Sequence, residues 1–218
     1  VLFDMDGLFI DSEPDWHDAE SEMMKTNGYA WAPEDQLQCL GGPLSHVTEY
    51  MAKCLNGAKT PEELGVMIVD EMVRRMSGKV QLMPGSLEIS QLVAEAKIPQ
   101  ALVSASPRVI VDAVLTGMTE KYFATSVASG DIERTKPFPD PYLHAAKLLG
   151  VDIEQSLIFE DSPTGITAAV ASGAFVVAVP HYVEVQEKPR LKVIASFEDI
   201  TTEDLEKWSE VNQRELGR

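Results

Sequence analysis

The chain has 218 residues, with 35 acidic and 18 basic side chains and a formal net charge of −17. At about 150 residues per domain, this length predicts one full core and a smaller second part. A chain this acidic, without clustered lysine or arginine, repels DNA, RNA and anionic lipid, so we expect neither nucleic acid nor a membrane as a partner. The 2 cysteines are too few for a disulfide framework, and no apolar stretch approaches the ~18 residues of a membrane span. We therefore expect a cytoplasmic protein, with a monomer as the default oligomeric state.

The first predicted element is the end of a buried strand, Val1-Leu2-Phe3, which stops at Asp4. From residue 12 to residue 80 the sequence is polar and helix-rich. Helices are predicted there over 14–28, 45–54 and 61–76, the last of them behind the capping-box sequence Thr60-Pro61-Glu62-Glu63. Further along, strands are predicted over 100–103, around 127, over 156–159 and up to 179, alternating with helices over 86–95, from 107, over 141–149 and over 164–172, before a last helix over 202–211.

Strands that alternate with helices predict an α/β fold with a doubly wound, mostly parallel sheet that helices cover on both faces. About seventy residues separate the first strand from the next one, and a connection of that length usually has structure of its own. We therefore predict a small all-helical cap domain over 12–80, inserted after the first strand of a core that comprises 1–11 and 81–218.

Polar side chains stand at the carboxyl ends of three predicted strands: Asp4, Ser104 and the pair Glu160-Asp161. Ligands of open α/β sheets bind at that edge. Asp4 and Asp6 are two residues apart, so in an extended segment their carboxylates point the same way. Such carboxylates can bind Mg²⁺, which prefers oxygen ligands. One of them can also attack phosphorus and form an aspartyl phosphate.

Each of these residues also has a simpler structural explanation. Asp6-Gly7 is a common turn sequence, and the Ser104 hydroxyl could cap the helix that follows it. Lys136 could be an exposed loop lysine, as most lysines are. Glu160 and Asp161 could cap the next helix, although two adjacent acids at a buried strand end are costly without a cation. These alternatives remain open at the level of the residues alone.

Four motifs carry a resemblance to a known family: Asp4-Met5-Asp6-Gly7, Ser104, Lys136-Pro137 and Glu160-Asp161-Ser162. In this order and at these strand ends, they resemble the haloacid dehalogenase-like (HAD) phosphohydrolase superfamily. The likeness extends along nearly the whole chain. The inserted segment resembles the helical cap shared by beta-phosphoglucomutase and the hexose- and hexitol-phosphate phosphatases, including 2-deoxyglucose-6-phosphatase. The resemblance implies a Rossmann-like core and Mg²⁺-dependent hydrolysis of a small phosphorylated sugar or polyol.

The resemblance also implies catalytic roles for four side chains and one backbone group. Asp4 would be the nucleophile and a metal ligand. Asp6 would be the general acid for the leaving oxygen and then the base for the hydrolytic water. Ser104 and the backbone N–H of Ala105 would bind a phosphoryl oxygen, and Lys136 would neutralise charge on the phosphoryl group and on Asp4. Catalysis of this kind consists mostly of positioning and charge stabilisation.

The implied cofactor is Mg²⁺. The resemblance assigns Asp161 as a ligand, Glu160 beside it as a direct or water-mediated ligand, and the backbone carbonyl of Asp6 as a third contact. The sequence departs from many relatives at Thr135, where they have glycine before the lysine. A small change in the loop is expected there, while Lys136 itself is present.

The predicted cap bears on the choice of substrate. Trp16 is the twelfth residue after Asp4, where beta-phosphoglucomutase has a histidine, and His17 is displaced by one place. Trp16 is equally compatible with cap core and with substrate contact. Gly42 and Ser45 lie in a segment that faces the substrate in this cap family, although a plain helix–helix turn would explain them as well.

Ser106 and Arg108 follow the second motif and could reach the substrate or its phosphate, although Arg108 would also suit a helix surface. A sugar-phosphate mutase is the main alternative to the phosphatase. A phospho-signalling receiver domain also uses an acidic pocket with a Lys-Pro pair, but it has no helical insertion after its first strand. A phospho-ligand binding protein without catalysis is disfavoured because all four motif positions are filled.

Overall fold

The computed structural model describes residues 1–39, 43–78, 80–181 and 184–215. The chain forms two compact units. The α/β unit comprises Val1–Asp11, Gln81–Arg108 and Glu120–Arg218, and the helical unit comprises Ser12–Val80 and Val109–Thr119. The helical unit therefore includes a segment near residue 110 that the sequence analysis assigns to the core. The division of labour between a catalytic core and a cap stays a prediction.

The sheet consists of parallel strands that follow one another in the chain as β1 (Leu2–Asp4), β2 (Ala101–Pro107), β3 (Thr125–Ser129), β4 (Leu157–Glu160), β5 (Phe175–Ala178) and β6 (Leu191–Val193). Their order across the described sheet is β3-β2-β1-β4-β5-β6. The order reverses between β1 and β4, which makes this pair the topological switch point of a doubly wound sheet. The predicted α/β, Rossmann-like fold is thereby confirmed.

The helices of the described residues are α1 (Glu13–Thr26), α2 (Pro33–Cys39), α3 (Leu44–Cys54), α4 (Pro61–Met76), α5 (Ser86–Glu95), α6 (Arg108–Gly117), α7 (Asp140–Leu149), α8 (Pro163–Ser172) and α9 (Thr202–Glu215). Short 3₁₀ turns cover Ile153–Gln155 and Phe197–Asp199. None of the helices in the described ranges combines the length and the apolar character that a membrane crossing requires.

Both faces of the sheet are buried, as alternation along β1 shows. Leu2 packs into one core cluster together with Tyr142 and Ile158. Phe3 points to the opposite face, where its ring stacks on that of Phe159 with centroids 5.1 Å apart. A strand with apolar side chains on both faces belongs to a sheet that is covered on both sides. This burial fixes the position at which β1 ends with Asp4 and the next loop begins.

The helical unit is held by the local signals that the sequence contains. Thr60 and Glu63 form the predicted capping box: the Glu63 N–H donates to Thr60 Oγ1 at 3.2 Å, and the Thr60 N–H donates to Glu63 Oε2 at 2.9 Å. Leu64, Ile68 and Met72 on α4 are fully buried. Their spacing of four residues places them on one face of the helix, which forms the core of this unit.

Hydrogen bonds join the two segments of the α/β unit that flank the long insertion. The Asp11 N–H donates to the Gln81 carbonyl at 2.9 Å, and the Met83 N–H donates to the Phe9 carbonyl at 3.0 Å. A bridge between Ile10 and Leu82 lies beside them. The two ends of the long insertion therefore meet at one hydrogen-bonded point.

Some predicted boundaries were wrong. Ser104 lies inside β2 and not beyond its end, because pairing with β3 resumes after a shift in register and continues to the pair of Pro107 and Ser129. Glu160 is the last residue of β4 and not the first residue after it. Neither α2 nor β6 was predicted. Both elements are short, with 7 and 3 residues, so their periodicity is too brief to read from the sequence.

Candidate active site

Three acidic side chains meet at the switch point of the sheet. Asp4 ends β1 and Glu160 ends β4, and these two strands are neighbours, with Phe3 opposite Phe159. Asp161 follows directly after β4. One carboxylate oxygen from each of the three acids lies within 4.8 Å of the others. The structure therefore brings together the acidic residues that the sequence singled out at two separate strand ends.

The loop after β1 carries Asp6 and turns sharply at Gly7. The Gly7 N–H donates to the Ile10 carbonyl at 3.0 Å, and the N–H groups of Phe9 and Ile10 both donate to the Met5 carbonyl at 3.0 Å. Gly7 has a φ of +76°, and a Cβ at this position would lie 2.8 Å from Asp161 Oδ2. Glycine is therefore required both by the turn and by the approach of the Asp161 carboxylate.

The side chain of Lys136 is buried, with only 4% of it exposed, so Lys136 is not the exposed loop lysine that one interpretation allowed. Its ammonium group contacts Asp4 Oδ1, donates to Glu160 Oε1 at 2.6 Å and donates to the Val103 carbonyl at 3.2 Å. One cation therefore lies between two of the three carboxylates and links the ends of β1 and β4.

The electrostatics of the cluster fit a divalent cation. Burial raises the pKa of Asp4 well above its usual value, and repulsion from Glu160 and Asp161 raises it further, while Lys136 lowers it. Burial lowers the pKa of Lys136, but Asp4 and Glu160 outweigh this effect and hold it above its ordinary value. Three carboxylates face one ammonium group, and carboxylate oxygens are the ligands that Mg²⁺ prefers. The donor set therefore fits Mg²⁺.

Two serine hydroxyls hold the Asp6 carboxylate. Ser104 Oγ donates to Asp6 Oδ2 at 2.9 Å, and Ser106 Oγ donates to the same oxygen at 2.8 Å. The Ser106 N–H in turn donates to Ser104 Oγ at 2.9 Å. Ser104 therefore contacts Asp6 and the strand itself, so capping of the following helix does not explain its position. Ala105, between the two serines, is exposed.

Arg108, a predicted substrate contact, is held at the neighbouring strand β3. Its guanidinium group forms an ion pair with Asp131, donates to Ser126 Oγ at 2.7 Å and donates to the Ser126 carbonyl at 3.2 Å. These described contacts place it beside β3, and none of them is with the carboxylate cluster.

The remaining predicted substrate contacts belong to the helical unit. Trp16 is half-buried on α1, and its backbone N–H donates to the Ser12 carbonyl at 3.0 Å. Ser45 is exposed in the first turn of α3, and its carbonyl accepts from Thr48 Oγ1 at 3.2 Å. Gly42 lies outside the described residues. Their role as substrate contacts stays a prediction.

Sequence reasoning missed Tyr142, which lies in the first turn of α7. It is fully buried, and its hydroxyl donates to Glu160 Oε1 at 2.6 Å. Tyr142 comes six residues after Lys136 in the chain. Its position in the helix that follows the Lys136 loop could have indicated that it lies near the site. However, a tyrosine in an amphipathic helix suggests core packing first.

Comparisons with known proteins identify the family of this chain. The family model for haloacid dehalogenase-like hydrolases matches residues 1–179. The chain is 32% identical to hexitol phosphatase B of Escherichia coli over 217 residues, which cover 94% of this chain and 95% of the relative. It is 28% identical to a phosphorylated carbohydrates phosphatase of Thermotoga maritima over 174 residues, which cover 79% of this chain and 81% of the relative.

Solved structures agree on the fold. A HAD hydrolase of family IA, variant 3, from Entamoeba histolytica has a TM-score of 0.79 at 23% identity and covers 96% of this chain and 98% of its own. A beta-phosphoglucomutase from Clostridium difficile has a TM-score of 0.80 at 20% identity and covers 100% and 98%. Because these identities are low, they bear on the fold alone. The family match and the phosphatases among the curated relatives go further: this chain is a phosphoric monoester hydrolase that belongs to the haloacid dehalogenase-like hydrolases.

Proposed function

We propose that the chain is a Mg²⁺-dependent phosphatase that hydrolyses a small phosphorylated sugar or polyol through an aspartyl phosphate on Asp4. The observation that carries the proposal is the buried cluster at the switch point, where the Asp4 carboxylate lies beside Lys136 and within 4.8 Å of the carboxylates of Glu160 and Asp161. The relatives named hexitol phosphatase B and phosphorylated carbohydrates phosphatase support this class of substrate.

The proposed reaction has two steps. An Asp4 carboxylate oxygen attacks phosphorus, the bond between phosphorus and the ester oxygen breaks, and Asp6 donates a proton to the leaving alkoxide. Water then attacks the phosphorus of the aspartyl phosphate while Asp6 takes a proton from that water. The acyl phosphate bond breaks, inorganic phosphate leaves, and the Asp4 carboxylate is regenerated.

Lys136 and Ser104 position the phosphoryl group. The Lys136 ammonium group already contacts Asp4, so it would lie next to the negative charge that develops on the transferred group. Ser104 Oγ donates to Asp6. A phosphoryl oxygen would compete with Asp6 for this hydroxyl and would also accept from the N–H of Ala105. Binding of phosphate would thereby release one of the two serine hydroxyls that donate to the Asp6 carboxylate.

Asp4, Asp161 and the backbone carbonyl of Asp6 would hold Mg²⁺, with Glu160 beside them as a direct or water-mediated ligand. The metal supplies positive charge next to the phosphoryl oxygens. Among the described residues of the cluster, the cation Lys136 is already shared between Asp4 and Glu160. An acidic protein that binds an anionic phosphate ester therefore depends on a bound cation.

Substrate choice is assigned to Ser106 and Arg108 and, in the helical unit, to Trp16, Gly42 and Ser45. Trp16 stands where the mutase family has a histidine, so this chain has no imidazole at that position to assist a sugar hydroxyl. The phosphoryl group should therefore be transferred to water.

A mutase remains the second candidate, and likeness of fold does not separate a mutase from a phosphatase. The helical insertion after β1 disfavours a receiver domain. The cytoplasmic location and the monomeric state also stay predictions.

The test is a screen for phosphate release by the purified protein with Mg²⁺ against sugar phosphates, polyol phosphates and nucleotides. We expect turnover of sugar or polyol phosphates. The mutase candidate is tested with beta-glucose 1-phosphate and a trace of glucose 1,6-bisphosphate, followed for both products. Inorganic phosphate without glucose 6-phosphate supports the phosphatase. Glucose 6-phosphate that forms much faster than phosphate would refute it.

A further inference from the structure

The Glu160 carboxylate is surrounded by hydrogen-bond donors. It is fully buried. Its Oε1 accepts from Lys136 at 2.6 Å and from the Tyr142 hydroxyl at 2.6 Å. Its Oε2 accepts from the N–H of Asp161 at 3.0 Å and from the N–H and the hydroxyl of Ser162, both at 3.2 Å. A carboxylate offers about four lone-pair sites, so these donors use the whole acceptor capacity of Glu160.

The first turn of α8 is shaped around this carboxylate. A Cβ at Gly165 would lie 1.7 Å from Glu160 Oε1 and 2.0 Å from its Cδ, so the carboxyl group occupies the space of a side chain at this position. Ser162 caps α8 by accepting from the Gly165 N–H at 3.1 Å, and the same hydroxyl donates to Glu160. The carboxylate therefore also lies at the positive end of a helix of 10 residues.

Tyr142 contacts both members of the ion pair. Its hydroxyl donates to Glu160, and the Lys136 ammonium nitrogen lies 5.1 Å from the centre of its ring. An ammonium group at this distance from an aromatic face is attracted to it. Tyr142 is itself excluded from solvent, with 0% exposure. It therefore constrains where Glu160 and Lys136 meet.

We infer that Glu160 is a positioning residue for Lys136 and not a direct metal ligand. Tyr142 and Gly165 fix the position of the Glu160 carboxylate. The geometry leaves Asp4 and Asp161 as the carboxylates with a role in metal binding. Glu160 instead holds the Lys136 ammonium group against Asp4. This inference rests on the proposed function for the roles of Asp4 and Lys136 in turnover. The fixed position of the Glu160 carboxylate rests only on the hydrogen bonds and the close approach of Gly165 described above.

The test compares Tyr142→Phe, Gly165→Ala, Glu160→Gln and Asp161→Asn by two measurements. The first is steady-state kinetics on a substrate found in the screen. Loss of one hydrogen bond to a charged group that matters in the transition state should lower kcat of Tyr142→Phe roughly tenfold, with KM unchanged. Gly165→Ala should lose more, because its methyl group displaces the carboxylate. Tyr122→Phe, a half-buried tyrosine of the same unit, and Gly65→Ala, whose Cβ would meet its nearest atom at 3.9 Å, are the matched controls and should keep full kcat.

The second measurement is binding of Mn²⁺ to the protein without substrate, followed by electron paramagnetic resonance. Tyr142→Phe should bind Mn²⁺ like the wild type, whereas Asp161→Asn should bind at least about tenfold more weakly. Glu160→Gln loses a nearby charge and should weaken binding less than Asp161→Asn does. Equal weakening by Glu160→Gln and Asp161→Asn would overturn the inference. So would a Tyr142→Phe enzyme that behaves like Tyr122→Phe.

The two proposals fail in different ways. A wild-type protein that binds Mn²⁺ but hydrolyses no phosphate ester would contradict the proposed function, while the order of Mn²⁺ affinities would still decide whether Glu160 is a ligand. If Gly165→Ala does not fold, by circular dichroism, Tyr142→Phe decides the question, because it removes one oxygen and keeps the ring.

Discussion

Glu20 on α1 provides a test of stability that is independent of the active site. It is 3% exposed, and its Oε2 has no hydrogen-bond partner among the described residues. Burial raises its pKa to about 7, with a smaller rise from Glu13, while Gln36 and His17 act in the opposite direction. A carboxyl group whose pKa is raised on folding stabilises the fold at low pH, and this contribution is lost as the pH rises through the folded-state value.

The size of the effect follows from the two pKa values. A folded-state pKa of about 7 against an ordinary value of 4.5, at about 1.36 kcal/mol per pKa unit, corresponds to about 3 kcal/mol. The contribution is fully present below pH 4.5 and is lost by about pH 8. Glu20→Gln keeps the shape of the side chain and removes its charge. Relative to the wild type, the variant should therefore gain about 3 kcal/mol between pH 4.5 and pH 8.

The assay is urea unfolding at several pH values, followed by tryptophan fluorescence. Trp16 and Trp31 lie in the helical unit and Trp208 lies in the α/β unit, so the signal reports on the unfolding of both. Glu49→Gln, an exposed glutamate of α3, is the matched control and should follow the wild type at every pH. If the difference between Glu20→Gln and the wild type stays constant across this pH range, Glu20 is not buried as a protonated acid and the reasoning is refuted.

Three further predictions concern catalysis and the helical unit. Asp4→Asn should lose nearly all phosphatase activity and keep its circular dichroism spectrum, because a carboxamide is a poor nucleophile and a weaker metal ligand; near-normal turnover would exclude the aspartyl phosphate. Excess EDTA should abolish phosphate release and added Mg²⁺ should restore it, whereas undiminished turnover in EDTA would contradict the metal assignment. Thr60→Ala removes the side-chain acceptor of the Glu63 N–H and should destabilise the helical unit by about 1 kcal/mol in urea unfolding; an unchanged midpoint would mean that this cap adds nothing to stability.

The fold was readable from the sequence where local signals and burial agree. The apolar residues before Asp4 indicated a buried strand, and Thr60 marked a helix start by a capping box that the structure contains. The end of β2 was not readable in this way. It depends on the pairing of Pro107 with Ser129 on another strand, and such a partner is not visible in the local pattern.

The acidic residues of the site were readable because strand ends of a parallel sheet share an edge. The hydrogen bonding of the Glu160 carboxylate could not be predicted from the sequence. Its donors come from Lys136, from Tyr142 and from the start of α8, which are brought together only by the tertiary fold. A sequence shows which groups can bind a metal, but the packing around a carboxylate decides how many of its lone pairs are already used.

The hydrogen-bonded point at which the two ends of the long insertion meet has a consequence for how such proteins diversify. Because Asp11 and Gln81 are joined directly at 2.9 Å, the span between them is fixed whatever the intervening segment contains. The entropy of closing a segment grows slowly, by about 0.6 kcal/mol for each doubling of its length. Closure at this point therefore puts little thermodynamic constraint of its own on the length of the insertion. Evolution can vary this module while the carboxylates on β1 and β4 remain in register.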